Sequence, residues 1–358
     1  MERRNVGAIE AGKRIVVSEE CVRNTSVLNG EKERYPGLDG LRTYAILGII
    51  VMHVLANGGY DLQGFIGQKM IPSFYNLVFL FMMVSAFGMC CGYYNRIRNG
   101  SISVDRFYNR RFSRIWPFFA VLNVLNVVIA PSKSVLYEMF ANLTICFGLL
   151  PNVRMSVIGV GWTLGVIFVF YLLFPFFCYL MGNKKRAYLT LGVSFIFNIL
   201  CTIYFHTDRS NIVYSSVYFV VGGLIYLNRE KMKQFVERKK LLSILLMFFT
   251  LLLYFKIGEN TVTMVLACGS FLVVALECRE MGILSNPFTK FINGISFEMY
   301  LCHMAIYRGL EKLNLAHVFD NDVMSYITMC LGTVLGTAAF SVAAQISIKR
   351  VKECVCRR

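Results

Sequence analysis

Histidine is the side chain best suited to move a proton near neutral pH, and only four occur in these 358 residues. One of them, His53, sits well inside the apolar run YPGLDGLRTYAILGIIVMHVLA, eleven residues after Arg42. At about 100° per residue that spacing returns His53 to within roughly 20° of Arg42 and raises it by about 16 Å. Asp39, three residues before Arg42, belongs to the same face, so carboxylate, guanidinium and imidazole form one polar track along a helix. An ionisable group at such depth is costly, and function is the default account of it. The alternative is a histidine hydrogen-bonded between helices as structural glue. As chemistry, the track offers His53 as general base or nucleophile, with Arg42 and Asp39 at its mouth.

A second histidine, His303, lies nine residues past Gly294 in NGISFEMYLCHMAIY, a depth like that of His53. Ser296, Tyr300 and His303 share a helical face, whereas Glu298 is rotated about 140° away from His303. Two histidines are thus expected at one level, with Tyr300 beside the second. Arg110, Arg111 and Arg114 crowd the segment DRFYNRRFSRIWPFF, read as a loop leading into the third apolar segment. Arginine and tryptophan at a helix end are ordinary interfacial anchors; guanidinium forks also suit a polyphosphate such as the diphosphate of coenzyme A. Trp162 heads VGWTLGVIFVFYLLFPFF, as a further anchor or as part of a site. His206 and His317 fall in polar connections, where a solvated role is expected. The twelve cysteines lie mostly in apolar runs without ligand-like spacing, and the C-x-C of Cys354 and Cys356 is too short for a zinc or redox claim, so neither metal nor bound cofactor is expected.

The elements that must position these side chains are membrane spans. The chain is 56% hydrophobic and 16% charged, with a mean hydropathy of +0.56, against roughly a quarter charged in an ordinary soluble domain. Each crossing needs about 20 apolar residues. Apolar segments recur at about 41–56, 72–93, 115–130, 157–181, 188–205, 213–227, 241–255, 261–278, 294–311 and 324–347. The expected fold is an all-α polytopic bundle of about ten transmembrane helices. Cytoplasmic loops carry the excess of Lys and Arg. Of the 37, 29 fall in the N-terminal tail, the C-terminus and the loops on their side; seven fall in the opposite loops, and the last is Arg42. The net charge of +16 is therefore topology, with both termini cytoplasmic, and not the clustered basic face of a nucleic-acid binder. Residues 1–36 contain no signal-peptide core and read as a mobile cytoplasmic tail, 37–348 as the membrane domain and 349–358 as a short basic C-terminus. The longest outer connection, about 131–156, holds an apolar stretch from Met139 to Leu150 that is too short to cross. It is expected to be re-entrant or interfacial.

Together these segments resemble the acyltransferase 3 family of membrane acyltransferases, which modify cell-envelope and exported glycans or lipids. The resemblance rests on LDGLR with His53 eleven residues beyond its Arg, on RRFSRIWP from Arg110 to Pro117, on the run from Trp162 to Pro175 ending in FYLLFP, and on SFEMYLCH from Ser296 to His303. These motifs stand in the family's order over most of the chain. Relatives often carry a Glu shortly after the W-S/T-L run, where this chain has Ile167 and Phe168, so no role of that Glu transfers. Some relatives append a soluble hydrolase-like domain after the last helix; this chain is expected to act as a stand-alone module or with a separate partner. The resemblance implies a multi-pass O-acyltransferase of the plasma membrane that uses cytosolic acyl-CoA, acetyl-CoA foremost, as co-substrate. Its acceptor is a hydroxyl of a glycan or lipid-linked glycan, reached among membrane lipid and in concert with polysaccharide synthesis or export machinery. The implied catalytic residues are His53, Arg42 and Asp39; Arg110, Arg111, Arg114, Trp162, Tyr300 and His303 are the implied substrate-binding residues. From the bundle alone, the runner-up is a non-enzymatic transporter or flippase for a polysaccharide intermediate, and a third reading is a scaffold for a polysaccharide synthase.

Overall fold

The computed structural model describes residues 35–149, 158–277 and 282–356. In chain order its helices are α1 (Gly37–Gly58), α2 (Ile66–Arg98), α3 (Val104–Ile129), α4 (Lys133–Leu143), α5 (Trp162–Leu180), α6 (Lys184–Ile203), α7 (Ile212–Leu227), α8 (Arg229–Arg238), α9 (Lys240–Ile257), α10 (Thr261–Ala275), α11 (Pro287–Lys312) and α12 (Asp322–Cys356). No strand occurs among the described residues. Helices begin where a small polar side chain can accept from the first free N–H groups. Ser103, Ser132, Asn183 and Asn211 cap α3, α4, α6 and α7 in this way. Asn260 and Asn286 form capping boxes with Thr263 and Thr289 at the starts of α10 and α11, and Pro287 takes the first position of α11.

The molecule is an all-α membrane bundle, with a helix at each of the ten expected spans. Seven of these, α1, α2, α3, α5, α6, α9 and α12, are long and apolar enough to cross. An eighth crossing requires α7 and α8 to count as one span bent by 72°. α10 is apolar but short at 15 residues, and α11, 26 residues long, is not among the seven. Alternating direction shows at the two ends. At the end of Asp39 and Arg42, Tyr44 Oη donates to Ile283 O, Tyr94 Oη to Met181 O and Lys352 Nζ to Ser113 O. At the opposite end Tyr60 Oη donates to Ala316 O, Arg308 Nη2 to Asn57 Oδ1 and Tyr75 Oη to Glu259. The first and last described residues thus share one end.

Large apolar side chains stay exposed along the outer helices, for example Leu241, Leu245, Phe248 and Leu252 on α9, a surface that lipid must cover. Polar groups turn inward and bridge helices instead. Thr43 Oγ1 donates to Thr289 O at 2.9 Å and Asn76 Nδ2 to Tyr254 Oη at 2.9 Å. The D-G-L-R glycine has a packing reason too. A methyl at Gly40 would lie 2.4 Å from the Leu284 carbonyl oxygen, so only glycine lets the segment before α11 cross α1 there.

Three expectations are corrected or sharpened. α3 starts at Val104, well before 115, so Arg110, Arg111 and Arg114 lie inside a helix and not in a loop ahead of it. The Ser103 cap and the straight-chain arginines favour this extension. Pro117, inside α3, cannot donate to the Ser113 carbonyl, and Lys352 Nζ takes that oxygen at 3.1 Å. α12 runs through the expected C-terminal segment to Cys356. The described part of the connection after α3, to Leu149, turns back along it as a re-entrant segment does. α4 returns along α3, with Asn142 Nδ2 on Asn123 Oδ1 at 2.8 Å and Trp116 Nε1 on Leu143 O at 3.0 Å. Trp116 precedes the end of α3 by thirteen residues, so the descent is about 20 Å. At its foot the chain turns with its own groups satisfying one another, Ile145 N–H on Asn142 O and Cys146 N–H on Thr144 Oγ1, as non-helical backbone at depth requires. The tail expected over 1–36 falls, but for Tyr35 and Pro36, outside the described residues.

Candidate active site

A cavity of about 320 Å³ lies between α1, α2, α3, α5 and α11. Arg42 reaches it from α1 and Arg111 and Arg114 from α3, joined by Ser85, Tyr171, Asn293 and Tyr300. Three guanidiniums therefore meet in one space, and no carboxylate is among its described lining residues. Arg111 is bracketed by aromatic rings, 4.5 Å from the centroid of Tyr93 and 5.7 Å from that of Tyr171. Its Nε is buried with no hydrogen-bond partner. Such a bracket holds the planar group rigid and leaves its edge for an anion. Asp39 Oδ1 accepts from Asn293 Nδ2 at 2.8 Å, tying the mouth of α1 to α11. A second, largely apolar cavity of about 370 Å³ adjoins the first, sharing Arg111 and Tyr171, and Thr144 and Cys146 of the re-entrant turn form part of its wall.

The first cavity ends at Tyr300. The Tyr300 hydroxyl donates to Thr163 Oγ1 at 2.8 Å, and its carbonyl lies 2.8 Å from His303 Nδ1. A carbonyl can only accept, so Nδ1 carries the proton of the neutral ring and Nε2 keeps its lone pair. That Nε2 is buried without a partner. The His303 ring is 1% exposed, and its centroid stands 5.1 Å from that of the half-buried His53. The two histidines expected at one level are in contact. Neither lines the cavity; Tyr300 stands between it and the pair. Glu298 lines neither cavity.

Other site residues are distributed differently. Arg110 is exposed, lies near Tyr93 and lines neither cavity. Trp162 packs against Arg209, whose guanidinium lies 5.3 Å from the Trp162 ring and 4.7 Å from that of Tyr75. Trp162 in turn is followed by Thr163, the acceptor of the Tyr300 hydroxyl, so Arg209 approaches the site from the end opposite Arg42. In the sequence Arg209 is one of the seven basic residues of the opposite loops and stands in none of the motifs above. No periodicity governs the short connection between α6 and α7, so nothing there signals which way a side chain turns. Thr163 and Tyr171 were within reach, since both stand in motifs quoted above, and Ser85 Oγ lies 3.0 Å from Tyr171 Oη.

A family model described as an acyltransferase domain matches residues 35–342, most of the chain. No curated protein and no solved structure matches it.

Proposed function

The chain belongs to the acyltransferase 3 family, and from that premise we propose that it transfers an acyl group, acetyl in the simplest case, from acyl-CoA to a hydroxyl of an exported or surface glycan or its lipid-linked precursor. The observation that carries this is the convergence of Arg42, Arg111 and Arg114 in a cavity ending at the residue that holds His303. The Arg42 end bears the excess of Lys and Arg and is taken as the cytosolic side of the plasma membrane.

The guanidiniums suit the diphosphate of coenzyme A, which they bind as forks. Asp39, held by Asn293, sets the mouth of the track. The pantetheine arm separates diphosphate from thioester by a span comparable to the roughly 16 Å between Arg42 and His53 along α1, so it carries the thioester past Tyr300 to the histidines. There the acceptor oxygen bonds to the thioester carbonyl carbon, the C–S bond breaks, and the hydroxyl proton passes through imidazole to the departing thiolate, leaving an ester and free coenzyme A. His53, the more accessible ring, takes that proton. His303 Nε2, with its lone pair and no partner, is ready to accept from the imidazolium that forms. A positioned base contributes typically ~10²–10⁴-fold.

Purified protein in lipid nanodiscs, mixed with labelled acetyl-CoA and membrane glycan, tests the reading. Label reaching the glycan, lost in His53→Ala, supports it. Loss of polysaccharide export in cells without the protein, with acetylation unchanged, would favour a transporter instead.

A further inference from the structure

The mechanism above leaves the carbonyl oxygen unattended. Arg42 cannot serve it, because about 16 Å of helix lies between Arg42 and His53. Among the described residues Arg209 approaches the histidine pair from the other end: its guanidinium packs on Trp162, whose neighbour Thr163 accepts from Tyr300, and the Tyr300 carbonyl holds His303 against His53. Arg209 belongs to the connection between α6 and α7, at the end of the bundle opposite Arg42, yet its guanidinium turns inward between Tyr75 and Trp162. No carboxylate among the described residues lies within ion-pair distance of it. Its neighbour Asp208 is occupied instead by the N–H and hydroxyl of Ser210. Arg209 Nη1 is buried and has no hydrogen-bond partner. A buried N–H without a partner calls for an oxygen.

Two unpartnered polar atoms thus lie on the chain of contacts that runs from Arg209 through Trp162, Thr163, Tyr300 and His303 to His53, with opposite needs. Arg209 Nη1 can only donate, and His303 Nε2, its tautomer set by the Tyr300 carbonyl, can only accept. A hydroxyl attacking a carbonyl answers both: its proton passes to His53, the imidazolium that forms donates to His303 Nε2, and the oxyanion developing on the carbonyl oxygen accepts from the guanidinium. We infer that Arg209 is the oxyanion-binding residue of the acyl transfer, holding the carbonyl oxygen at His53 from the side opposite the donor's phosphates. The inference rests on the acyl-CoA reading above. As the carbonyl carbon becomes tetrahedral, negative charge gathers on its oxygen. A guanidinium already oriented by two rings stabilises that charge without reorganising.

The test compares Arg209→Gln, Arg209→Lys and Arg111→Gln in the full chain in nanodiscs, reading acyl-CoA binding and turnover separately. Arg209→Gln is expected to lower kcat by ~10²–10³, as loss of one oxyanion donor does, with acyl-CoA Kd within about twofold of wild type. Arg111→Gln is expected to weaken Kd. Arg209→Lys keeps a charge between the two rings and controls for folding; it is expected to restore stability but only part of the rate, because it lacks the fork. The inference is overturned if Arg209→Gln turns over within about threefold of wild type, if it weakens acyl-CoA binding as Arg111→Gln does, or if Arg209→Lys restores the full rate. Wild-type protein that moves no label from acyl-CoA would remove the transfer reading, and this inference with it. An active wild type with an indifferent Arg209→Gln removes the inference alone.

Discussion

Arg111→Ala is the sharpest probe of the donor site, because Arg111 lines both cavities and is bracketed by Tyr93 and Tyr171. A charge-assisted hydrogen bond to a diphosphate contributes ~1.5–3 kcal/mol. At about 1.4 kcal/mol per factor of ten, its loss raises the acyl-CoA Kd roughly ten- to a hundredfold. The same substitution forfeits the contact with the rings, ~0.5–2 kcal/mol, so the melting temperature falls as well. Arg111→Lys keeps the charge without the planar fork and is expected to recover stability better than affinity. The assay is equilibrium binding of acetyl-CoA and of acetyl-pantetheine, which has the thioester but no diphosphate, over a range of salt. The full loss should fall on acetyl-CoA and weaken as salt screens the charges. Equal loss for both ligands would refute the reasoning, since Arg111 would then shape the cavity and not hold phosphate.

Three further outcomes are expected. His53→Ala and His303→Ala should each lower labelled transfer by ~10²–10⁴, and the double variant little further, because groups acting as a unit are not additive; multiplying losses would assign the two rings to separate steps. Tyr300→Phe leaves the buried hydroxyl of Thr163 without its donor and should cost ~1–3 kcal/mol of stability by thermal unfolding, an unchanged melting temperature showing that the bond does not hold the cavity's end. Gly148→Ala drives a methyl to 2.5 Å from the Gly165 backbone. It should destabilise by ~1–3 kcal/mol, whereas unaltered stability would mean that the re-entrant turn does not depend on this close approach to α5.

Much of the fold and part of the site were legible beforehand, and particular residues show where legibility ends. Arg42 and His53 lie on one helix, so their common face follows from a constant rotation per residue. Contact between His53 and His303 was half legible. Depth counted from the helix starts put them at one level, but only packing brought their rings to 5.1 Å. The arginines of α3 were recognised as a group, yet their place inside the helix depended on the Ser103 cap, a local bond that a hydropathy pattern does not weigh.

What the sequence by itself determined was everything that repeats along the chain: the apolar segments, the alternation of basic loops, and the faces on which Asp39, Arg42, Tyr300 and His303 stand. The tertiary structure alone decided what meets across the bundle, including Asp39 on Asn293, the return of α4 to Trp116, and Arg209 laid between Tyr75 and Trp162. The physical reason is that a helix carries its geometry in each residue's own backbone angles. The path of an irregular connection is set by the grooves it fills and the buried polar groups it must satisfy, and those belong to residues far away in the chain.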